Sequence, residues 1–190
     1  RACAKVKMTD LNLTRCAVFI DRDGVVVKGI VREGLNFPTA PRALEEFELI
    51  LGAAAALELL GQNGFVRILV SNQPDRARGL ISQDAWRAIQ NEVEKLPFDD
   101  IRMCPHRTED NCSCKKPKPG MLMEAARAWN IDLRRSYFIG DSDTDMAAAA
   151  AAGSKSILIS APYNEGIKSD YRALHFFAAA ELIIKLQHPL

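Results

Sequence analysis

The sequence lacks three features that would link it to a membrane or a nucleic acid. No apolar run approaches the roughly 20 residues that cross a bilayer, and the start shows no signal-peptide pattern. Lysine and arginine total 25 against 24 for aspartate and glutamate, so the formal net charge is only +1. There is no internal repeat and no low-complexity linker. These absences argue against nucleic acid and membranes as partners.

The composition is that of an ordinary globular domain. The chain has 190 residues, of which 48% are hydrophobic and 26% are charged. This length is sufficient for one domain with a well-buried core. We therefore expect a single domain over residues 15–190, preceded by a disordered tail over residues 1–14. We also expect a monomer or a weak homo-oligomer.

The cysteines do not have the even count that a disulfide framework requires. There are five of them, Cys3, Cys16, Cys104, Cys112 and Cys114, and the last three lie within eleven residues. This crowding favours a metal site in a reducing compartment, so we expect a cytoplasmic protein.

Hydrophobic periodicity and turn residues indicate strands that alternate with helices. The predicted strands span 17–20, 66–70, 100–103, 137–139 and 156–159, and the predicted helices span 52–62, 83–95, 119–129, 144–152 and 178–186. Such alternation predicts an α/β fold with a parallel sheet that helices cover on both faces. Ligands of such sheets bind at the carboxyl ends of the strands, so the chemistry should follow each strand.

Two aspartates follow the first predicted strand, and they carry the strongest functional signal. Asp21 and Asp23 flank Arg22 and precede Gly24. Side chains two residues apart in an extended chain point to the same side, so the carboxylates repel each other unless a cation lies between them. Magnesium with oxygen ligands is the natural candidate. The alternatives are an acidic turn or part of a calcium loop, although residues 25–27, all valine, supply no ligand for calcium.

Polar residues also follow the second and fourth predicted strands. Ser71, followed by Asn72, can bind a phosphate oxygen with its hydroxyl and its backbone N–H; the alternative is an ordinary turn residue. Asp141 lies at the same sheet edge as Asp21 and would complete an oxygen-rich magnesium site.

The residues after Asp141 have simpler interpretations. Asp143 or Thr144 is expected to cap the next helix, and Asp145 lies in its first turn, where negative charge is favoured. Whether Asp145 assists the magnesium site is left open.

A cluster of soft ligands lies before the fourth predicted strand. Cys104 and His106 form one pair, Cys112 and Cys114 form another, and five residues separate the pairs. This spacing fits a closed tetrahedral zinc site, which would stabilise a loop with little core of its own. The alternative is three free cysteines that lie near a histidine by chance.

A basic segment follows the cluster directly. Its sequence is Lys115-Lys116-Pro117-Lys118-Pro119-Gly120. Charge clusters usually form a solvated face, but the zinc site and two prolines would stiffen this one and aim a lysine at a phosphate.

Together these motifs resemble the haloacid dehalogenase (HAD) superfamily of aspartate-nucleophile phosphatases, from about residue 17 to residue 159. Asp-Arg-Asp-Gly, Ser-Asn-Gln, the Cys-x-His and Cys-x-Cys loop and Lys-Lys-Pro-x-Pro-Gly-Met are similar to its group of heptose-bisphosphate and histidinol-phosphate phosphatases. The resemblance implies a Rossmann-like HAD fold with Mg²⁺ and Zn²⁺ as cofactors. Because only short connections separate the motifs, no cap domain is expected.

The resemblance also implies residue roles. Asp21 would be the nucleophile that forms an aspartyl-phosphate, and Asp23 would protonate the leaving oxygen and then activate water. The magnesium ligands would be the Asp21 side chain, the Asp23 backbone carbonyl and Asp141. Ser71, Asn72 and Lys116 would face the transferred phosphate.

The implied substrate is a small phosphorylated metabolite, with D-glycero-D-manno-heptose 1,7-bisphosphate as the first choice. Lys115, Arg78 and Lys118 would attract its second phosphate and repel the amine of histidinol phosphate. Pro74-Asp75 departs from the Ser-Gly that commonly follows Ser/Thr-Asn-Gln in the family, which puts the exact substrate in doubt. The alternatives are a histidinol-phosphate phosphatase, an inactive zinc-stabilised binding domain and a phospho-accepting receiver domain.

Overall fold

One parallel sheet organises residues 14–187, which are the residues that the computed structural model describes. Its six strands are β1 (Ala17–Ile20), β2 (Val66–Asn72), β3 (Asp100–Cys104), β4 (Tyr137–Gly140), β5 (Lys155–Ile159) and β6 (Tyr171–Ala173). The helices of this region are α1 (Ala53–Gln62), α2 (Gln83–Glu94), α3 (Gly120–Trp129), α4 (Asp143–Ala152) and α5 (Phe176–Gln187). The predicted α/β fold is therefore confirmed.

The strand order places the functional motifs next to each other. The order is β3-β2-β1-β4-β5-β6, and every neighbouring pair is parallel. Chain order reverses between β1 and β4, which creates the crevice where α/β proteins bind ligands. Asp21 follows β1 and Asp141 follows β4, so the two aspartates lie side by side at this switch point.

Two apolar layers cover the sheet, one on each face. Val18 and Ile20 pack with buried residues of α1 and α5, whereas Ala17 and Phe19 pack with buried residues of α3 and α4. This alternation follows from the two-residue period of a strand. Because β1 is covered on both sides, the residues that follow it are held on a rigid support.

The structure extends four of the five predicted strands by one or two residues and adds a sixth strand. Ser71 and Asn72 lie within β2, because they pair with Met103 and Cys104 of β3. The short edge strand β6 was not predicted. It has only three residues, including the exposed Arg172, and therefore lacks a run of buried side chains.

The predicted cap of α4 was wrong by one or two residues. Ser142, rather than Asp143 or Thr144, is the N-cap, and its hydroxyl accepts the backbone N–H of Asp145 at 3.3 Å. The Asp145 carboxylate accepts the Ser142 N–H in return, at 3.1 Å. This reciprocal pair is a capping box, and its second bond is not evident from the position of a single polar residue.

The connection between β1 and α1 is the longest segment without an α-helix among the described residues. It contains isolated β-bridges and a single 3-10 turn, Leu44–Glu46. This is compatible with the predicted absence of a cap domain. The predicted tail over residues 1–14 lies outside the described residues, apart from residue 14. No helix in the described part of the chain is long and apolar enough to cross a membrane.

Candidate active site

A cavity of about 650 Å³ opens at the carboxyl edge of the sheet, around the switch point. It brings together residues that are far apart in sequence but that follow or end neighbouring strands. The predicted site residues that line it are Asp21, Asp23, Ser71, Asn72, Arg78, Lys115, Lys116 and Asp141.

A buried lysine joins two carboxylates at the base of the cavity. The Nζ atom of Lys116 lies 2.8 Å from Oδ1 of Asp21 and 2.7 Å from Oδ1 of Asp145. It also donates to the backbone carbonyl of Val70 at 2.9 Å. Burial alone would lower the pKa of Lys116, but Asp145 and Asp21 outweigh it and raise that pKa. The lysine is therefore a fixed positive charge.

Two buried carboxyl groups of the cavity, those of Asp21 and Asp141, have raised pKa values. Burial is the largest reason why the pKa of Asp21 is raised to about 8, and the neighbouring carboxylates raise it further against the effect of Lys116. Burial and then Asp145 raise the pKa of Asp141 to about 6. The single lysine does not neutralise all of the neighbouring carboxylates, so the electrostatics of the site favour binding of a further cation.

The acidic side chains fit a hard divalent cation. Oxygen atoms of Asp21, Asp141 and Asp145 lie within 4.8 Å of one another, and oxygen ligands suit Mg²⁺. Asp23 supplies no side-chain oxygen to this group, so its ligation through the backbone carbonyl stays a prediction.

Asp23 is oriented by two neighbours. Nε and Nη2 of the buried Arg22 donate to its two oxygens at 3.0 and 3.1 Å. Nε2 of Gln73 donates to Asp23 Oδ2 at 2.6 Å and to the Ser71 hydroxyl at 2.9 Å. Gln73 thus connects the end of β2 with the aspartate motif after β1.

Asn72 acts on the backbone of the basic segment. Its amide nitrogen donates to the carbonyl of Lys116 at 3.0 Å, and its amide oxygen accepts the N–H of Lys116 at 3.0 Å. Asn72 was predicted to face the phosphate, but its side chain instead holds the backbone of Lys116 in place. Ser71 is buried and lines the cavity.

A short turn after β5 holds Asp141. The hydroxyl of Tyr163 donates to Asp141 Oδ2 at 2.5 Å, and Nδ2 of Asn164 donates to the Asp141 carbonyl at 2.7 Å. Neither residue was identified from sequence. Both lie outside any recognised motif, and only the tertiary fold brings them to β4.

Gly24 is required where the aspartate motif turns. Its φ is +86°, and a Cβ at this position would lie 2.0 Å from Asp141 Oδ2. Only glycine combines this conformation with such a close approach.

The four predicted zinc ligands are brought together. The sulfur atoms of Cys104, Cys112 and Cys114 lie 3.3 to 3.6 Å apart, and Nδ1 of His106 lies 3.2 Å from the Cys114 sulfur. A tetrahedral zinc bonded at about 2.0–2.3 Å has ligands about 3.3–3.8 Å apart. This cluster could hold zinc. Cys16 is buried in the core and does not belong to this cluster.

The thiols of the cluster do not ionise independently. Burial and the neighbouring thiols raise the pKa of Cys114 to about 12. Burial also opposes ionisation of Cys112, but hydrogen bonds from the Lys115 backbone and the other thiols lower its pKa to about 7. Three adjacent thiolates need a cation, which is the charge that zinc would provide.

The basic residues divide between the cavity and the zinc loop. The ammonium of Lys118 donates to Asn111 Oδ1 at 2.7 Å and to the Cys112 carbonyl at 2.9 Å. It does not line the cavity, so its predicted place at the mouth is wrong. Lys115 lines the cavity and donates to the His106 carbonyl at 3.2 Å, which ties the zinc loop to the mouth.

Pro74 and Asp75, which replace the Ser-Gly common in the family, also line the mouth of the cavity. Oδ2 of Asp75 accepts a hydrogen bond from Arg42 Nε at 2.8 Å, and its other oxygen lies 4.0 Å from Nη1 of Arg78. Asp75 thus joins the β1–α1 connection to the segment after β2.

One protein family and several individual proteins resemble this chain in sequence. A family described as HAD-hydrolase-like matches residues 113–166. The D-glycero-beta-D-manno-heptose-1,7-bisphosphate 7-phosphatase of Rhodopseudomonas palustris is 35% identical over 152 residues, which cover 73% of this chain and 80% of that protein. The chain belongs to this family of HAD-like phosphatases. The Vibrio cholerae member is 36% identical over 159 residues, which cover 74% of this chain and 78% of that member.

A solved structure of the family has the same fold. The crystal structure of D,D-heptose 1,7-bisphosphate phosphatase from B. bronchiseptica, complexed with magnesium and phosphate, has a TM-score of 0.76 to this chain. The match covers 90% of this chain and 99% of that one, at 28% identity. The predicted superfamily and the predicted class of enzyme, a phosphoric monoester hydrolase, are confirmed.

Proposed function

We propose that this chain is a magnesium-dependent phosphatase that removes the 7-phosphate of D-glycero-beta-D-manno-heptose 1,7-bisphosphate through an aspartyl-phosphate. The observation that carries the proposal is the Asp21–Lys116 pair at the floor of an open cavity. Sequence relatives named as 7-phosphatases support the choice of substrate and of phosphate. They give no support to histidinol phosphate or to an inactive binding domain.

Asp21 is the proposed nucleophile. Its Oδ1 accepts the Arg22 N–H at 2.8 Å and lies 2.8 Å from the Lys116 ammonium. These contacts fix the carboxylate and leave Oδ2 to attack phosphorus. The new Asp21 O–P bond forms as the bond from phosphorus to the sugar oxygen breaks.

Asp23 is the proposed acid and base. It gives a proton to the departing sugar oxygen, and it then takes a proton from the water that attacks phosphorus and breaks the Asp21 O–P bond. Inorganic phosphate is released and Asp21 is regenerated. Arg22 and Gln73 keep the Asp23 carboxyl at the cavity.

Asp21, the Asp23 carbonyl and Asp141 are the groups that would hold Mg²⁺. The ion supplies positive charge that offsets the charge of the transferred phosphoryl group. Lys116 and the Ser71 hydroxyl would bind phosphoryl oxygens from the protein side. Lys115 and Arg78 line the mouth and would attract the second phosphate, which orients the scissile one.

We also propose that the enzyme acts in the cytoplasm on a freely diffusing metabolite, as a monomer or weak homo-oligomer. The near-zero net charge is consistent with this proposal.

The test is phosphate release with magnesium from heptose 1,7-bisphosphate, from histidinol phosphate and from a panel of sugar and nucleotide monophosphates. We expect the highest kcat/KM for the bisphosphate, with one phosphate released per molecule. A higher kcat/KM for histidinol phosphate would replace the proposed substrate. If another phosphate ester alone were hydrolysed, the proposed mechanism would stand, and Pro74-Asp75 would be the first place to look for the changed specificity.

A further inference from the structure

The two carboxylate oxygens of Asp141 have different surroundings. In the part of the chain that the structure describes, the hydrogen bond to its carboxylate falls on Oδ2, from the Tyr163 hydroxyl at 2.5 Å. The backbone of Gly24 packs against the same oxygen, since a Cβ at Gly24 would lie 2.0 Å from Oδ2 but 3.3 Å from Oδ1. The hydrogen bond from Tyr163 and the closest approach of Gly24 therefore both fall on Oδ2, and neither occupies Oδ1.

The turn that carries Tyr163 is itself firmly placed. Asn164 is only 1% exposed, and its Nδ2 donates to the carbonyls of both Asp141 and Ile159, at 2.7 and 2.9 Å. Its Oδ1 accepts the N–H of Ala161 at 3.0 Å. Because the neighbouring residue is anchored to the backbone of Asp141, the Tyr163 ring is delivered to the Asp141 carboxylate rather than meeting it by chance.

We propose that Tyr163 restricts Asp141 to binding a divalent cation through Oδ1 alone, and that this makes the site selective for Mg²⁺ over Ca²⁺. Mg²⁺ requires six ligands in octahedral geometry at about 2.0–2.1 Å, for which a carboxylate that gives one oxygen is suited. Ca²⁺ takes six to eight oxygens at about 2.3–2.6 Å and often uses both oxygens of a carboxylate. The hydrogen bond from the Tyr163 hydroxyl to Oδ2 makes this second oxygen unavailable to the ion.

Tyr163 is a positioning residue in this proposal, which rests on the magnesium site of the proposed function. A hydrogen-bond donor behind a metal ligand commonly contributes about 10- to 100-fold to metal affinity. Here the effect is unequal for the two ions. Loss of the hydroxyl removes the hydrogen-bond donor from Oδ2, so the site loses affinity for Mg²⁺ while Ca²⁺ gains a second oxygen of Asp141.

The experiment is calorimetric titration of Mg²⁺ and of Ca²⁺ into the protein after gel filtration into a buffer that contains neither ion. The wild type is compared with Tyr163→Phe, which keeps the ring, and with Tyr171→Phe. Tyr171 lies on β6 and does not line the cavity, so it is a matched control. Melting temperatures verify that all three proteins are folded.

We expect the ratio of the Ca²⁺ to the Mg²⁺ dissociation constant to fall about tenfold or more in Tyr163→Phe and to stay unchanged in Tyr171→Phe. If the wild type binds Mg²⁺ and Tyr163→Phe has the same ratio, the inference is wrong and the proposed phosphatase is unaffected. If the wild type binds neither ion and releases phosphate without metal, the magnesium site of the proposed function fails as well.

Discussion

The Nζ atom of Lys116 lies 2.8 Å from Oδ1 of Asp21, and both side chains are largely buried. The same ammonium lies 2.7 Å from Asp145, which is completely buried and also belongs to the capping box of α4. One lysine thus connects the proposed nucleophile to the helix that follows β4. Removal of the lysine would affect both catalysis and stability.

Lys116→Met should abolish phosphatase activity and destabilise the fold by about 3–5 kcal/mol, because it leaves buried carboxylates without their partner. The free energy of unfolding is measured in urea without magnesium. Lys95→Met is the matched control, since Lys95 pairs with Glu92 at an exposed position. Loss of that pair should cost about 1 kcal/mol or less. Equal losses for the two variants would contradict the structural role of Lys116.

Asp21→Asn should abolish turnover without loss of the fold. An amide has the shape of the carboxylate but cannot attack phosphorus, and its neutrality relieves repulsion from the neighbouring carboxylates. Phosphate release and melting temperature are measured together, with the exposed Asp84→Asn on α2 as the control. More than a trace of activity in Asp21→Asn would mean that Asp21 is not the nucleophile.

Protein purified without chelator should contain about one equivalent of zinc, bound by Cys104, His106, Cys112 and Cys114 with Zn–S distances of about 2.3 Å. Metal analysis and X-ray absorption measure the content and the distances. Cys112→Ser should lose the metal, whereas Ser113→Ala, in the same loop, should keep it. Zinc-free protein with freely reactive thiols would exclude the site.

The stabilisation by magnesium should increase with pH. The folded pKa of Asp21 is raised from 3.8 to about 8 and that of Asp141 to about 6, so the folded state holds protons that the unfolded state releases. Without metal, the stability contributed by these groups is lost as pH rises from about 4 to 8. Protons also compete with the metal, by about tenfold in affinity per pH unit below the pKa of Asp21.

Calorimetric melting with and without Mg²⁺ at the two pKa values tests this expectation. The gain in melting temperature should be larger near pH 8 than near pH 6, and Asp141→Asn should remove most of the difference. A gain that is constant or that falls with pH would show that these carboxyl groups do not bind the ion in competition with protons.

The site residues that can be predicted from the sequence are those whose positions follow from a nearby strand end or from short spacing along the chain. Asp21 and Asp141 were identified because parallel strands end at the same edge of a sheet. The zinc ligands were identified because short spacing alone brings them together. Tyr163 and Asn164 follow no such rule, since their contacts with Asp141 depend on packing between distant segments. The contact of Lys118 with Asn111 is local, but it depends on how the zinc loop folds and no spacing rule predicts it.

The mouth of the cavity offers the sharpest test of substrate recognition. Asp75 places a carboxylate close to Arg78, where a second phosphate is proposed to bind, and Arg42 neutralises it at 2.8 Å. In Arg42→Gln, the charge of Asp75 would be exposed to the substrate. We expect KM for the heptose bisphosphate to rise about tenfold, which is about 1.4 kcal/mol, while kcat changes little because Asp21 and Lys116 are untouched.

The double variant Arg42→Gln/Asp75→Asn separates repulsion from simple loss of structure. If the carboxylate is the cause, removing it restores most of the KM, and the two substitutions are strongly non-additive. Arg67→Gln is the control, because its partner Asp99 lies at the opposite edge of the sheet and outside the cavity. A sugar monophosphate should be much less sensitive than the bisphosphate, since it has no second phosphate to repel. Equal changes of KM for both substrates would place the second phosphate away from Arg78.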